Sequence, residues 1–210
     1  MSAPLAVRTA LRRHGLLLLS HPTLPSLARI VAGAPIRGSW WSHPRGRAIF
    51  WAADALGDDP DVVVGKLVDG RVTFVHRPLW PALLAVAEAR EPWQLRGLGA
   101  PAQHLLARVE RGGRVQATGD AARRLEARLL VHADETHTAA GAHAKVLEPW
   151  GRWAARARLR GAPTSAARGK AQLEDAVARM AGGATARLPW QRGRSAGIRT
   201  RGASPRSARA

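Results

Sequence analysis

An α+β fold, mainly helical with two β-hairpins, is what this chain predicts. Three observations carry the expectation. Apolar residues recur at helical spacing in several windows that Gly and Pro separate. Asp69-Gly70 stands between two valine-rich runs, and an Asp-Gly pair there marks a hairpin because the primed turn needs positive φ at both central positions. A second pair of short runs flanks Ala139-Ala140-Gly141.

The first helix is expected over Pro4 to Leu19, with Leu5, Leu11, Leu16 and Leu19 feeding a core, until Ser20-His21-Pro22 breaks it. A short helix from Ser26 to Val31 ends at Ala32-Gly33. Pro44 suits the first turn of a third helix, which runs to Leu56, buries Ile49, Phe50 and Ala53, and stops at Gly57-Asp58-Asp59-Pro60. In the Asp61–His76 hairpin, a two-residue loop pairs Val68 with Arg71 and Lys66 with Thr73. That register gives Val63, Leu67, Val72 and Phe74 a core face, and leaves Lys66, Arg71 and Thr73 on a polar one.

Pro78 opens a helix over Leu79 to Arg90, with Trp80, Leu83, Leu84 and Ala87 on one stripe. Next come a helix from Pro101 to Glu110, a short extended piece at Arg114–Ala117, and a helix from Gly119 to Leu129 behind a Thr118 cap. The second hairpin uses Leu130–His137 and His143–Glu148. Helices are expected over Trp150–Leu159 and Ala166–Met180, and Leu188-Pro189-Trp190 is apolar enough to dock back on the body. The resulting division is 1–98, an N-terminal α+β region; 99–160, a winged-helix-like region; 161–190, a helical extension; and 191–210, a disordered basic tail with six arginines and no acid.

Composition bounds the function. The chain has 210 residues, 46% of them hydrophobic, so it can fill a core. Zero cysteines exclude disulfides, zinc fingers, iron–sulfur clusters and thiol catalysis. The net charge of +18 points to polyanions as partners. Arginine outnumbers lysine 30 to 3, a bias that a GC-rich genome also produces, so the distribution matters more than the count. Residues 151–210 hold 14 cations against 2 acids, which is most of the excess. The four-leucine run Leu16–Leu19 is too short for a span or a signal peptide, so the expectation is a cytoplasmic chain with no membrane partner.

The order helix, short strand, helix, hairpin over 101–149 resembles a winged-helix module, in which a helix enters the major groove and the hairpin touches the backbone. The resemblance implies that Arg123, Arg124 and Arg128 project from the reading helix, with Arg124 and Arg128 on one face, and that Lys145 lies on the wing. Lys66 and Arg71 add cations on the first hairpin. Trp40 and Trp41, beside Arg45 and Arg47, are placed to stack bases while guanidiniums hold phosphate; the alternative is that they pack in the core and at a helix end. On the second hairpin His137 faces His143, and Glu135 faces Lys145, so two imidazoles and a carboxylate form the one candidate site for a divalent metal, with Lys145 opposing it. No other cofactor is called for. Phosphate-loop, Rossmann, Gly-x-Ser-x-Gly and His-Glu-x-x-His patterns are absent. Pro60-Asp61 with Lys66 approaches a nuclease pattern, but Val64 stands where its second acid belongs.

The segments Gly33–Pro44, Thr73–Trp80 and Leu129–His132 resemble those of a family of uncharacterised bacterial proteins, over most of residues 10–155. That resemblance implies a bacterial origin and a compact α+β body, and no activity. The expected function is nucleic-acid binding, to DNA or RNA, through arginine contacts with the backbone. The alternatives are a hydrolytic enzyme using His137, His143 and Glu135, and a protein–protein adaptor.

Overall fold

The computed structural model describes residues 3–137, 143–159 and 164–192. The fold is α+β. Its first helix, α1 (Ala3–His14), ends at Gly15, whose φ of 77° caps it and whose N–H bonds the Leu11 carbonyl at 2.7 Å. A Cβ at Gly15 would lie 2.8 Å from Leu79 Cδ1, so the position needs glycine on two grounds. The leucines that follow are not the end of that helix. They form β1 (Leu16–Leu18), the edge of a three-stranded antiparallel sheet whose order is β1-β3-β2, with β2 (Val62–Lys66) and β3 (Val72–His76).

Both faces of this sheet are buried, which is why its strands do not alternate apolar and polar. Leu16 lies opposite Val75, which lies opposite Val63, and these three belong to the largest core. Leu17 lies opposite Phe74, and both belong to a second core beneath α1, α2 (Leu27–Ala32) and α3 (Gly46–Gly57). Thr73, expected on a polar face, is fully buried. The hairpin register is also one residue off the expected one: Lys66 pairs with Val72 and Gly65 with Thr73. The reason is local. Thr73 Oγ1 accepts from the Val68 N–H at 3.2 Å, which folds Val68 into a 3-10 turn instead of extending it. Asp69 and Gly70 do take positive φ, 51° and 68°.

The large core continues through α4 (Trp80–Glu88), α8 (Trp150–Arg156) and α9 (Ala166–Ala181), and Leu188 and Trp190 close it. The α4–α9 crossing is close: a Cβ on Gly169 would stand 2.6 Å from the Ala82 carbonyl oxygen. A short α5 (Pro92–Leu95), with Glu91 and Gln94 in a capping box, leads to α6 (Ala100–Gly112). Then β4 (Val115–Ala117), α7 (Gly119–Ala127), β5 (His132–His137) and β6 (His143–Glu148) build a second three-stranded sheet of order β4-β6-β5 over a third core. Helix α7 is shorter than expected. Arg128 closes it and Leu129 turns to a φ of 53°. At the C-terminal end, Gln191 and Arg192 belong to a 3-10 turn and its cap; the rest of the expected tail lies outside the described residues. No helix among the described residues is long and apolar enough to cross a membrane.

Candidate functional site

Three groups of chemistry-bearing residues emerge, and they have different characters. The first joins the two sheets. Glu126, on the inward face of α7, sends one carboxylate oxygen toward Lys145 Nζ on β6 at 3.1 Å and Lys66 Nζ on β2 at 3.6 Å. Lys145 also meets the Glu135 carboxylate of β5 at 3.1 Å, as the expected cross-strand register requires. The Lys145 side chain is only 12% exposed and that of Glu126 only 9%. Burial pushes the Lys145 ammonium down, but Glu126 and Glu135 outweigh it and the net direction is up, so the amine stays charged and is not a nucleophile. Three residues that the sequence assigns to binding or metal, Lys66, Lys145 and Glu135, thus converge. Their partner Glu126 was missed, although it stands four residues after Ala122 and next to Leu125, on the stripe that α7 buries.

The second group is buried in tryptophan. His132 stacks on Trp153 at 5.4 Å and meets Trp150 edge-on at 5.3 Å. Its Nδ1 lies 3.4 Å from Glu148 Oε1 and its Nε2 3.7 Å from Asp134 Oδ1. These three side chains have the spacing of a metal site. Arg156, however, is paired with both Glu148 and Asp134, and Arg114 reaches Asp134 at 3.9 Å, so two guanidiniums already balance the two carboxylates. Burial raises the Glu148 carboxyl, the His132 and Arg156 contacts outweigh it, and it ends below the ordinary range. The expected metal ligands were others. Strand pairing sets His137 opposite His143, but the side chains of both lie outside the described residues, and Glu135 is engaged with Lys145.

The arginines of α7 are not a bare cationic ridge. Arg123 and Arg124 are exposed, and both pair with Asp120 one turn back. Arg128 does not share a face with Arg124. Its guanidinium donates to the carbonyls of Gln94 at 2.9 Å and Arg96 at 2.7 Å, and so fastens the end of α5. Arg71 is exposed near His21, whose imidazole is lowered by burial first and then by Arg71, against the opposing pull of Asp69.

The third group lies on the opposite layer, on a 3-10 turn over Trp40–Ser42 and on α3. The Trp40 and Trp41 rings stack at 4.2 Å, Phe50 stands 5.6 Å beyond Trp41, and Trp51 stands 5.3 Å beyond Phe50. Gly46 permits this: a Cβ there would collide with the carbonyl oxygens of Trp41 at 2.8 Å and Trp40 at 3.0 Å. Helix α3 turns Ile49 and Leu56 inward, so Arg47, Phe50 and Trp51 face out. Trp41 is 63% exposed and Trp51 55%, unusual for the largest apolar side chain. Trp80, Trp150, Trp153 and Trp190 are the core anchors instead.

Charge sets this layer apart. Residues 1–53 contain seven arginines and no aspartate or glutamate. Arg8 pairs with Asp59 at 3.4 Å, and Arg45 donates to the Val31 carbonyl at 2.9 Å. Arg12, Arg13, Arg37 and Arg47 have no acidic partner among the described residues. The missing acids are legible in the sequence: the first quarter of the chain, residues 1–52, holds seven arginines and no acid, whereas a count that isolates only the last sixty residues hides this. Comparison with protein-family models, with curated proteins and with solved structures finds no match to this chain.

Proposed function

We propose that the chain binds nucleic acid through its N-terminal layer, with arginines on phosphates and the Trp40–Trp41–Phe50–Trp51 row against bases. The observation that carries the reading is this aromatic row, exposed at Trp41, Phe50 and Trp51 and half-buried at Trp40, in a segment that supplies seven arginines before its first acid, Asp54 of α3. Arginines that no acid pairs among the described residues, here Arg12, Arg13, Arg37 and Arg47, attract phosphate and release counterions. Aromatic faces beside it give the stacking that phosphate contacts lack. Arg47 and Trp51, four apart on α3, put both functions on one helical face.

The element order of 100–148 supports a second, weaker contact. It resembles a winged helix, and exposed Arg123 and Arg124 are held only by surface pairs with Asp120, which a phosphate oxygen can replace at little cost. The test is fluorescence anisotropy with labelled DNA at two salt concentrations. The expected result is micromolar or tighter binding at low salt that falls steeply with added salt, with Trp41→Ala weakening it several-fold and Arg47→Gln lowering the salt slope by about one. Absence of binding at low salt overturns the reading.

A further inference from the structure

Between α1 and α3 runs an apolar groove of about 600 Å3, lined chiefly by Leu5, Val31, Ala48, Trp51, Ala55 and Leu56, with Arg8 at its rim. Trp51 belongs both to this groove and to the aromatic row. We infer that the strand held on this surface is single, and that one of its unpaired bases enters the α1–α3 groove beside Trp51. The inference rests on the nucleic-acid reading and narrows it to a substrate class.

Three features select that occupant. The groove is continuous, through Trp51, with a row of rings that pack on one another, stacked at Trp40–Trp41, tilted at Trp41–Phe50 and edge-on at Phe50–Trp51, so the outer surfaces of exposed Trp41 and Trp51 offer a base a path into it. Among the described residues its one charged lining side chain is Arg8, half-exposed and held by a single surface pair with Asp59 that a backbone phosphate can replace at little cost. Its floor offers methyl and ring carbon instead of hydrogen-bonding side chains, so it accepts the flat face of any base and reads no sequence. A duplex keeps its bases stacked on one another and shows this surface only phosphates, so it loses both the row and the groove.

Ala48 and Ala55 are exposed on α3 and line the groove, so Ala48→Leu and Ala55→Leu fill it without touching the core or costing helix propensity. The probes are a labelled single-stranded DNA of about 12 nucleotides, a length inside the usual site sizes, and the duplex of the same sequence. The wild-type chain is expected to prefer the single strand by about tenfold or more, the size of one or two base stacks. The double variant Ala48→Leu/Ala55→Leu is expected to lose about tenfold on the single strand and nothing on the duplex. Circular dichroism checks that its fold is kept. Equal affinity for the two probes, or an equal loss on both in the variant, overturns the inference and leaves the nucleic-acid reading standing. Failure to bind either probe at low salt overturns both.

Discussion

Replacing Arg128 by alanine separates a structural arginine from a binding one. The guanidinium donates to three carbonyls, those of Arg96 at 2.7 Å, Gln94 at 2.9 Å and Trp93 at 3.5 Å. The last is too long to count for much. A hydrogen bond from a charged donor contributes about 1.5–3 kcal/mol. Arg96 is exposed and Arg128 half-buried, so water recovers part of each bond, and the two good ones together are worth about 2 kcal/mol. The Gln94 side chain adds to the cost. It donates to the carbonyls of Ala87 at 3.0 Å and Arg128 at 3.2 Å, so loosening the Arg128 backbone unsettles a fully buried amide. Urea denaturation followed by far-UV circular dichroism should therefore show a loss of about 2 kcal/mol, while nucleic-acid affinity at temperatures well below unfolding stays unchanged. An unaltered denaturation midpoint together with weakened binding would refute this reasoning and return Arg128 to a phosphate contact.

Two further outcomes test the packing and the charge network. Gly169→Ala should destabilise by about 1–3 kcal/mol in a thermal melt, because the added methyl meets the Ala82 carbonyl at 2.6 Å and that backbone cannot yield; the ordinary helix-interior gain of about 1 kcal/mol from removing glycine, if seen, shows that α4 and α9 can part freely. Glu148 has its folded carboxyl below the unfolded value, so its contribution is present above the ordinary carboxylate range and is lost as pH falls through the folded value. Stability of the wild type should then drop more steeply in acid than that of Glu148→Gln, which is itself weaker at neutral pH by about 2 kcal/mol after allowing for the half-exposed Arg156; parallel pH profiles for the two proteins would show that the His132–Glu148–Arg156 contacts carry no net energy.

The helices were legible because each buries one stripe and exposes the other, and that asymmetry is written at a period of 3.6 residues. The second hairpin was legible to the register, since Glu135 opposite Lys145 is a favourable cross-strand pair. Strand β1 was not legible. Four leucines in a row satisfy a helix and a strand alike when both sides are buried, and only the sheet against which they lie decides. The first hairpin slipped by one residue for a reason no periodicity contains: a single threonine hydroxyl that captures the Val68 N–H. Similarly, Arg128 looked like the next rung of α7, yet the turn at Leu129 swings it toward α5, and a positive φ at leucine has no sequence signature.

Net charge is a sum over the chain, and the positions of the acids decide where it is left unbalanced. Among the described residues nine of the twenty cations beyond position 53 pair with an acid: Arg77 with Asp61, Arg90 with Glu110, Arg114 and Arg156 with Asp134, Arg123 and Arg124 with Asp120, Lys66 and Lys145 with Glu126, and Lys170 with Glu91, against one of seven before it. Outside the buried Glu126 cluster such pairs contribute at most about 1 kcal/mol each, so they are weak as struts, but each one cancels a charge that an anion would otherwise feel. The N-terminal layer has its acids only from Asp54 onward, and while Asp59 pairs with Arg8, no acid among the described residues pairs with Arg12, Arg13, Arg37 or Arg47. Those four charges are felt over about one Debye length, some 8–10 Å at physiological salt. Tryptophans left in water on that layer cost solvation that the core would have recovered. Unpaired guanidiniums and exposed rings on one layer are two separate costs in the free chain, and the proposed single strand is a partner whose phosphates and bases would relieve both.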